Sequence, residues 1–538
     1  MARRRVARAA QGIGAHPTIP RARKGPLSVF FITADQWTGT CLSALGHHCV
    51  RTPHLDALAA DGVLFRNHFT QCSPCGPARA SLLTGMYLMN HRSARNGTPL
   101  DARHSNLALE VRKAGYDPIL FGYTDTSADP RGLSSDDPRL LTYEGVLPGL
   151  SIGLQMTEAV VPWRADLRAK GYEFPEAPDA VYRAVGVTPG PDGGVRPRPF
   201  YPAEHSDNAF VANHVLDYLR AHEGEPWFVH AVFPRPHPPI IAPEPYNAMY
   251  GRGEAGMPRR LASPSEEARQ HPYMAYLIER QRRPGYYWGH GLNIQALDDE
   301  ALADIRAVYF GLISEVDFQI GRLIAHLKST GEYDRTLIVF TSDHGEMLGD
   351  HWLFSKEGYF DQAYHIPLIL RDPRPAARAT RGQKVDAFSE AVDIMPTILD
   401  WLGLSVPPQC DGASLRPFLE GQVPKTWRRE VHWEFDFRDL EAQTAEQTLS
   451  LHSDQCNLAV IRDRKYKYVH FAALPPLFFD LENDPGEFHN LVNDPSYRDR
   501  VLAYAQKMLS WRMAHSERVL TNTLLTPKGM LVRDPAKR

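Results

Sequence analysis

The chain is poor in cysteine, nearly balanced in charge and free of long apolar runs. Its 538 residues include 6 cysteines and carry a formal net charge of −3. So few cysteines cannot form a disulfide framework in a chain of this length. No apolar run approaches the roughly 20 residues of a membrane-spanning helix, and the balanced charge favours neither nucleic acid nor a membrane surface as a partner. These absences predict a globular, cytoplasmic protein.

The first residues carry positive charge only. Residues 1–24 contain arginines and one lysine but no acid, and they lack the apolar core of about 7 to 15 residues that marks a secretory signal. We expect residues 1–26 to form a basic, disordered tail. A wrongly assigned start codon and a weak anion-binding arm are the alternatives.

Strand and helix patterns alternate through the first four-fifths of the chain. Short, apolar, β-branched runs such as residues 28–33 and 336–341 are typical of buried parallel strands. A long amphipathic pattern that starts at Asp298 or Asp299 and ends at Gly331 predicts a helix. The alternation predicts an α/β fold, with a mixed, mostly parallel sheet sandwiched by helices.

Changes in composition divide the chain further. Residues 124–205 and 234–297 are rich in proline, glycine and charge, and we interpret them as insertions that wall a pocket beyond the strand ends. The main domain is expected over 27–425 and a smaller α+β domain over 426–514. Residues 515–538 are expected to form an extended arm that contacts other subunits of a homo-oligomer, a dimer or a tetramer.

The run CGPAR at residues 75–79 is the most informative segment. Pro77 suits the first turn of a helix and Gly85 suits its end, so the pattern places Cys75 at a helix N-terminus. Unpaired N–H groups and the helix dipole favour an anion there. Arg79 lies about one turn further along and can pair with such an anion.

Two simpler interpretations of Cys75 stay open. An isolated cysteine is commonly a buried structural residue, and Cys72 and Cys75 have the spacing of a redox or zinc pair. No second cysteine pair follows, so a four-sulfur zinc site is not expected. Cys72 has no arginine four residues later, which makes Cys75 the better candidate for a nucleophile.

Polar residues follow two of the predicted strands directly. Asp35 and Gln36 come after the first strand, and Asp343 and His344 come after the strand that ends near residue 341. The carboxyl ends of parallel strands meet at one edge of a sheet, and oxygen and nitrogen ligands of this kind suit Ca²⁺, Mn²⁺ or Mg²⁺. A capping or turn role is the alternative for each pair taken alone.

Together these runs resemble a known family. Residues 31–36, 75–79 and 342–346 are similar to the metal and nucleophile motifs of the formylglycine-dependent sulfatases and phosphonate monoester hydrolases, the sulfatase branch of the alkaline phosphatase superfamily. Residues 411–415 and 479–485 are also similar to that family. The resemblance implies an alkaline-phosphatase-like fold and a divalent metal ion held by Asp35, Gln36, Cys75, Asp343 and His344. It also implies that a maturation enzyme converts Cys75 to formylglycine.

The resemblance implies further site residues. Those in catalysis would be Cys75, Arg79, Asn96, His237 and Lys356, and those that contact the substrate would be Tyr123, Thr124 and Asp125. Two positions depart from the family pattern. Ala78 stands where the motif usually has serine, which bears on maturation, and Asp125 stands near a position that usually has a small hydroxyl residue, which bears on substrate preference.

The function implied is hydrolysis of singly charged esters by double displacement through a covalent formylglycine ester. Sulfuric esters, phosphonate monoesters and phosphodiesters carry one negative charge, whereas phosphate monoesters approach two. Asp125 would penalise the second charge most. The alternatives are a non-catalytic metal-binding member of the family, a phosphodiesterase with an unmodified thiol, and a redox protein that uses Cys72 and Cys75.

Overall fold

The computed structural model describes residues 27–183, 185, 195–281 and 297–533, so the predicted tail over 1–26 lies outside the described residues. The strands are β1 (Ser28–Ala34), β2 (Val63–Phe69), β3 (Pro118–Gly122), β4 (Ser151–Gln155), β5 (Phe228–Phe233), β6 (Thr336–Ser342), β7 (Leu368–Arg371), β8 (Gln383–Glu390), β9 (Val431–Asp436), β10 (Asn457–Arg462), β11 (Tyr466–Phe471), β12 (Leu477–Asp480), β13 (Thr523–Thr526) and β14 (Gly529–Val532). The α-helices are α1 (Pro53–Ala60), α2 (Cys75–Thr84), α3 (Leu88–His91), α4 (Leu107–Arg112), α5 (Val161–Ala169), α6 (Asp207–Ala221), α7 (Arg252–Ala255), α8 (Pro264–Ala268), α9 (Pro272–Gln281), α10 (Asp299–Ser329), α11 (Asp361–Tyr364), α12 (Ile394–Leu402), α13 (Arg416–Leu419), α14 (Thr444–Leu449) and α15 (Arg498–Ala514).

The larger sheet has eight strands in the order β4-β3-β5-β1-β6-β7-β2-β8. Strands β3, β5, β1 and β6 are neighbours and run parallel to one another. Strand β7 is antiparallel to both of its neighbours, β6 and β2. The sheet is therefore mixed and mostly parallel, which confirms the predicted fold class.

Two hydrophobic cores cover the two faces of this sheet, because successive side chains of a strand point to opposite faces. On β1, Phe30 and Ile32 belong to the core that includes residues of α1, α6 and α10. Val29 and Phe31 belong to the core that includes residues of α2, α4 and α12. A strand buried on both faces needs a continuous apolar run, and β1 is buried along its whole length.

Helix α10 begins and ends where the sequence pattern predicts. The Asp298 carboxylate caps it by accepting a hydrogen bond of 2.8 Å from the Ala301 N–H, and Gly331 follows its last turn. Ile305, Val308 and Leu312 bury one side of the helix in the first core. None of the helices in the described ranges, α10 included, has the length and apolarity needed to span a bilayer.

A second, smaller sheet follows in the chain. Its four strands lie in the order β12-β11-β10-β9 and are all antiparallel. Residues of α9 pack on one face and residues of α15 on the other. The Glu434 N–H joins this sheet to the segment after β2, because it donates to the Gln71 carbonyl at 2.8 Å. This is the predicted C-terminal α+β region, although its boundaries at 426 and 514 stay a prediction.

The sequence patterns do not predict strands β2, β4, β8 and β12. Strands β4 and β8 are edge strands with exposed positions, so they lack the continuous apolar signal of the central strands. Strand β2 lies inside the sheet, but the exposed Arg66 interrupts its apolar run. Strand β4 lies inside segment 124–205, interpreted above as an insertion, and extends the sheet. Strands β13 and β14 form a hairpin in the segment expected to be an extended arm.

Glu315 of α10 should make the stability of the fold depend on pH. It is buried against Ser206, and burial together with the charge of Asp207 raises the pKa of Glu315 from 4.5 to about 8. Between these values the folded state holds a proton that the unfolded state has released. The free energy of unfolding therefore falls as the pH rises through this window. Glu315→Gln should remove this contribution to the pH dependence of the free energy of unfolding.

Urea unfolding of the wild type and Glu315→Gln from about pH 5 to about pH 8 measures the effect. The variant should become more stable relative to the wild type as the pH rises, by more than about 1 kcal/mol over the range. If the free energies of unfolding of the two proteins changed in parallel with pH, the pKa of Glu315 would not be raised in the folded state.

Candidate active site

The site lies where four neighbouring strands end. Strands β3, β5, β1 and β6 are adjacent and parallel, so the loops that leave them meet at one edge of the sheet. Ala34 and Ser342 are paired at the ends of β1 and β6. The residues that follow them, Asp35 and Asp343, therefore start side by side. This register is the physical reason that the two predicted polar pairs converge.

Cys75 is the first residue of α2, a helix that is buried throughout. A Cβ atom on Gly76 would lie 3.1 Å from both Asn96 Oδ1 and the Asp125 carbonyl oxygen, so glycine lets the helix end approach these two loops closely. The Gly76 N–H donates to Asn96 Oδ1 at 2.9 Å. The predicted position of Cys75 at a helix N-terminus is confirmed.

Four buried side chains could hold a metal ion. One ligand atom from each of Asp35, Cys75, Asp343 and His344 lies within 4.8 Å of the others. Cys75 Sγ is 3.2 Å from His344 Nε2. Asp35 Oδ1 accepts no hydrogen bond from the described residues, and neither does Asp343 Oδ2, although the Arg79 guanidinium lies 3.0 Å from the latter. Buried carboxylate oxygens without donors are expected where a cation binds, so the donor set fits a divalent metal ion.

Gln36 and Lys356 connect this cluster to its surroundings. Lys356 Nζ donates to Gln36 Oε1 at 2.7 Å and to Cys75 Sγ at 3.3 Å. The Gln36 amide also donates to Glu346, whose carboxylate accepts from the Ser355 N–H at 2.6 Å. Sequence reasoning gave Glu346 no role, although it lies only two residues after His344 in the quoted motif.

Arg79 forms ion pairs with three carboxylates of the site. Its guanidinium lies 2.6 Å from Asp35 Oδ2, 2.6 Å from Asp125 Oδ2 and 3.0 Å from Asp343 Oδ2. The guanidinium also stacks over the Tyr123 ring at 4.2 Å, and the Tyr123 hydroxyl donates to Asp35 Oδ2 at 2.7 Å. The recorded contacts of Arg79 are thus with three acids and one ring, whereas the sequence suggested contact with the nucleophile or the ester.

Burial and neighbouring charges set the protonation of these acids. Burial raises the pKa of Asp125 to about 7, although Arg79 acts in the opposite direction. Burial also acts to raise the pKa of Asp35, but His237 and Arg79 outweigh it, so the pKa of Asp35 falls below its ordinary value. Asp35 is therefore ionised at neutral pH, whereas Asp125 gains or loses its proton near neutral pH.

His237 and Thr124 differ in their access to the site. His237 Nδ1 lies 2.7 Å from the Pro238 carbonyl oxygen, which can only accept, so Nδ1 carries the proton. Burial and then Lys356 lower the pKa of His237 to about 3, so its ring is neutral. The Thr124 hydroxyl instead accepts from the Leu147 N–H at 2.8 Å. The Thr124 hydroxyl thus takes part in a hydrogen bond within its own loop, and this bond does not support the predicted contact with the substrate.

The site opens into a cavity of about 280 Å³. Its walls include the predicted residues Asp35, Gln36, Cys75, Asn96, Tyr123, Asp125, His237 and Lys356. Residues that sequence reasoning missed complete them: Tyr143, Glu144, Met156, Thr157, Glu158, Val160, Tyr182, Pro234, Arg235, Pro238 and Ser355. Most of these lie in the two segments interpreted as insertions. Composition indicated that such segments could wall a pocket, but not which of their side chains face it.

Cys72 belongs to different surroundings from Cys75. Its sulfur lies 3.3 Å from the Ser81 hydroxyl, and it packs with Leu88 and Ala94. Both cysteines are buried and neither is in a disulfide. Burial raises the pKa of the Cys72 thiol well above its ordinary value. These contacts do not favour a redox pair made of Cys72 and Cys75.

Comparisons with known proteins agree with this geometry. The chain is 45% identical to the multifunctional alkaline phosphatase superfamily protein PehA of Trinickia caryophylli, over 94% of this chain and 99% of that protein. It is 27% identical to an arylsulfatase of Clostridium perfringens, over 90% and 93%. The crystal structure of the phosphonate monoester hydrolase of Agrobacterium radiobacter matches with a TM-score of 0.91 and 46% identity, over 95% of this chain and 100% of that one.

A family model described as Sulfatase matches residues 28–404, and one described as N-sulphoglucosamine sulphohydrolase, C-terminal, matches residues 349–514. The fold is that of a hydrolase of the alkaline phosphatase superfamily. Within it, the chain belongs to the sulfatase family. The family resemblance drawn from the sequence motifs, and the prediction of a hydrolase acting on sulfate or phosphonate esters, are confirmed.

Arg79→Ala should destabilise the protein because it leaves three buried carboxylates without their shared cation. Removal of one partner from a buried ion pair costs about 3 to 5 kcal/mol, and we expect a loss of this size in protein treated with a chelator. Urea unfolding measures it.

The matched control is Arg198→Ala, which removes an exposed arginine paired with the exposed Glu244. Such surface pairs contribute less than about 1 kcal/mol. Equal losses in the free energy of unfolding of the two variants would mean that Arg79 does not stabilise the three buried carboxylates.

Proposed function

We propose that the chain hydrolyses sulfate esters, phosphonate monoesters or phosphodiesters that carry one negative charge. The nucleophile is residue 75, after conversion of Cys75 to formylglycine. The observation that carries the proposal is the position of the Cys75 side chain. Its sulfur lies 3.2 Å from His344 Nε2 and 3.3 Å from Lys356 Nζ, and it lines the cavity. The names of the matched relatives, a phosphonate monoester hydrolase and an arylsulfatase, support both classes of ester.

The proposed metal ligands are Asp35, Asp343, His344 and residue 75, with Gln36 as the fifth. When bound, a divalent ion supplies positive charge that polarises the ester oxygens and favours an ionised hydroxyl nucleophile. Mostly oxygen ligands with one imidazole suit Ca²⁺, Mn²⁺ or Mg²⁺. The support for this assignment is Asp35 Oδ1, a buried carboxylate oxygen that accepts no hydrogen bond from the described residues.

The proposed mechanism requires formylglycine rather than a thiol at residue 75, because a thiol has no second oxygen with which to release the product. Burial and the charge of Asp35 raise the pKa of the Cys75 thiol well above its ordinary value. A hydrated formylglycine supplies two hydroxyl groups on one carbon, one to attack the ester and one to release the product. The conversion replaces sulfur and two hydrogens by one oxygen and requires a maturation enzyme, the proposed protein partner.

Lys356, Asn96 and His237 are proposed to bind the ester and assist its cleavage. Lys356 is buried and donates toward residue 75, so it can stabilise charge on the ester oxygens. Asn96 Oδ1 accepts from the Gly76 N–H, which leaves the Asn96 amide N–H groups to donate to the ester. Negative charge on the bound ester raises the pKa of His237, and the protonated ring can then donate to the departing oxygen.

Arg79 and Tyr123 are proposed to act through Asp35, because both donate hydrogen bonds to Asp35 Oδ2. They are therefore positioning residues. Asp125 lines the cavity, and a phosphate monoester would bring a second negative charge toward it. Two like charges about 4 Å apart repel by about 1 to 4 kcal/mol. This charge favours esters with one negative charge.

Cys75→Ala should abolish turnover, whereas Cys72→Ser should keep it, because the Cys72 sulfur contacts Ser81. Both variants are produced together with a maturation enzyme, and kcat is measured on an aryl sulfate and a phenyl phosphonate monoester. A redox protein that uses both cysteines would lose activity in both variants.

Mass spectrometry of the peptide that contains Cys75 tests the modification directly. Replacement of sulfur and two hydrogens by oxygen lowers the mass by about 18 Da. Full turnover by protein whose peptide keeps the thiol mass would contradict the formylglycine proposal and favour a thiol-dependent phosphodiesterase.

The kcat/KM for an aryl sulfate or a phenyl phosphonate monoester should exceed that for the phosphate monoester of the same phenol. Above neutral pH, where Asp125 with its pKa of about 7 is ionised, Asp125→Asn should reduce this discrimination by about tenfold, because it removes the repelling charge. Asp136→Asn, which removes an exposed carboxylate outside the cavity, is the control. A wild-type preference for the phosphate monoester would rule out selection by charge.

Three predictions concern the rest of the protein and stay predictions. They are the homo-oligomer, whose contacts are expected from residues 515–538, the cytoplasmic location, and the disordered state of residues 1–26. The domain boundaries at 425 and 514 have the same standing. None of them bears on the chemistry proposed for residue 75.

A further inference from the structure

The mouth of the active-site cavity is acidic. Tyr143, Glu144, Met156 and Glu158 line it, and Glu158 is exposed. We propose that this wall selects esters whose alcohol carries an amine or a quaternary ammonium group, and that Glu144 and Glu158 bind that positive charge. The inference rests on the proposed function, because it names the alcohol part of the same substrates.

Neither glutamate is paired with a cation among the described residues. Glu144 accepts a hydrogen bond from the Glu158 N–H, and Glu158 accepts one from the Tyr143 hydroxyl. In the described part of the chain, neither carboxylate forms an ion pair with lysine, arginine or histidine. Burial raises the pKa of Glu144, and the charge of Glu158 adds to this effect. Two acids thus share one wall, and the residues of the described ranges place no ion-pairing cation beside them.

The positive groups of the cavity are engaged elsewhere. Arg235 forms a buried ion pair of 2.8 Å with Asp207. Lys356 donates to Gln36 and Cys75 at the buried end of the cavity. These cations can bind the anionic end of an ester, but they do not neutralise the two glutamates near the mouth.

Hydrogen bonds hold the acidic wall at the edge of the sheet. The Gly145 carbonyl accepts from the Thr126 N–H at 2.9 Å, and the Glu144 carbonyl accepts from the Gln155 amide at 3.2 Å. The Met156 N–H donates to the Gly122 carbonyl at 2.8 Å, at the end of β3. The wall therefore has a fixed position relative to the site, as a recognition surface requires.

Charge then decides which alcohols are favoured. The acidic wall repels an ester that carries only a negative charge and attracts one whose alcohol is cationic. A charge about 6 Å from a carboxylate, at an effective dielectric constant of about 40, changes binding by about tenfold. The Tyr143 ring and the Met156 thioether offer polarisable surface to an alkylammonium group. The favoured substrate is a zwitterion, with its anion toward Lys356 and its cation toward the glutamates.

Two aryl esters of the same shape, one cationic and one neutral, test this inference. Because the cationic phenol is also the better leaving group, the decisive quantity is the change in preference between the wild type and a variant. One is the ester of 4-(trimethylammoniomethyl)phenol, and the other is the ester of 4-neopentylphenol, which has the same shape and no charge. The ester head is whichever of sulfate or phenyl phosphonate the wild type turns over. The wild type should prefer the cationic ester by about tenfold or more in kcat/KM, and added salt should reduce the preference.

The double variant Glu144→Gln, Glu158→Gln should reduce this preference by about tenfold. The matched control is Glu173→Gln, an exposed acid in the same segment that does not line the cavity. An equal kcat/KM for both esters in the wild type would overturn the inference and leave the proposed function intact, whatever the folding of the variants. Absence of turnover on every ester would contradict the proposed function itself.

Discussion

The site depends on the buried guanidinium of Arg79, which forms ion pairs with three carboxylates. Asp35, Asp125 and Asp343 leave the ends of three different strands, and each lies within 3.0 Å of this group. Without a shared cation, their mutual repulsion and their loss of water would oppose the close approach of the strand ends. Because Arg79 and Cys75 lie one turn apart on the buried helix α2, the same rigid element fixes both the neutralising charge and the reacting residue.

The central part of the fold could be predicted because its physical requirements are local. Strands β1 and β6 are buried on both faces and therefore read as continuous apolar runs, and an aspartate follows each directly. Helix α10 carries its own cap, Asp298. Edge strands β4 and β8 are covered incompletely and need no such run. The antiparallel direction of β7 depends on the path of the chain around the sheet, which no local pattern records.

The deep end of the site followed from the sequence better than its walls did. Sequence patterns identified Cys75 and Asp343, and the family resemblance implied Lys356; the fold brings the three together. The sequence could not reveal that the Thr124 hydroxyl accepts a hydrogen bond from the Leu147 N–H, or that Glu144 lines the cavity. Those outcomes depend on loop conformation, and a loop position has no periodicity from which its direction could be inferred. Composition located the wall, but only three-dimensional packing selects its side chains.

The two ends of the cavity are built in physically different ways. At the deep end, the side chains follow strands buried in two hydrophobic cores, so any shift of Asp35 or Asp343 would disturb the packing of the whole sheet. At the mouth, the wall is attached through backbone hydrogen bonds at Gly145 and Met156, which do not depend on side-chain identity. Exchange of Glu144 or Glu158 therefore leaves these attachments unchanged. The chemistry is fixed by the core of the protein, whereas selection of the alcohol rests on a surface that can change independently of it.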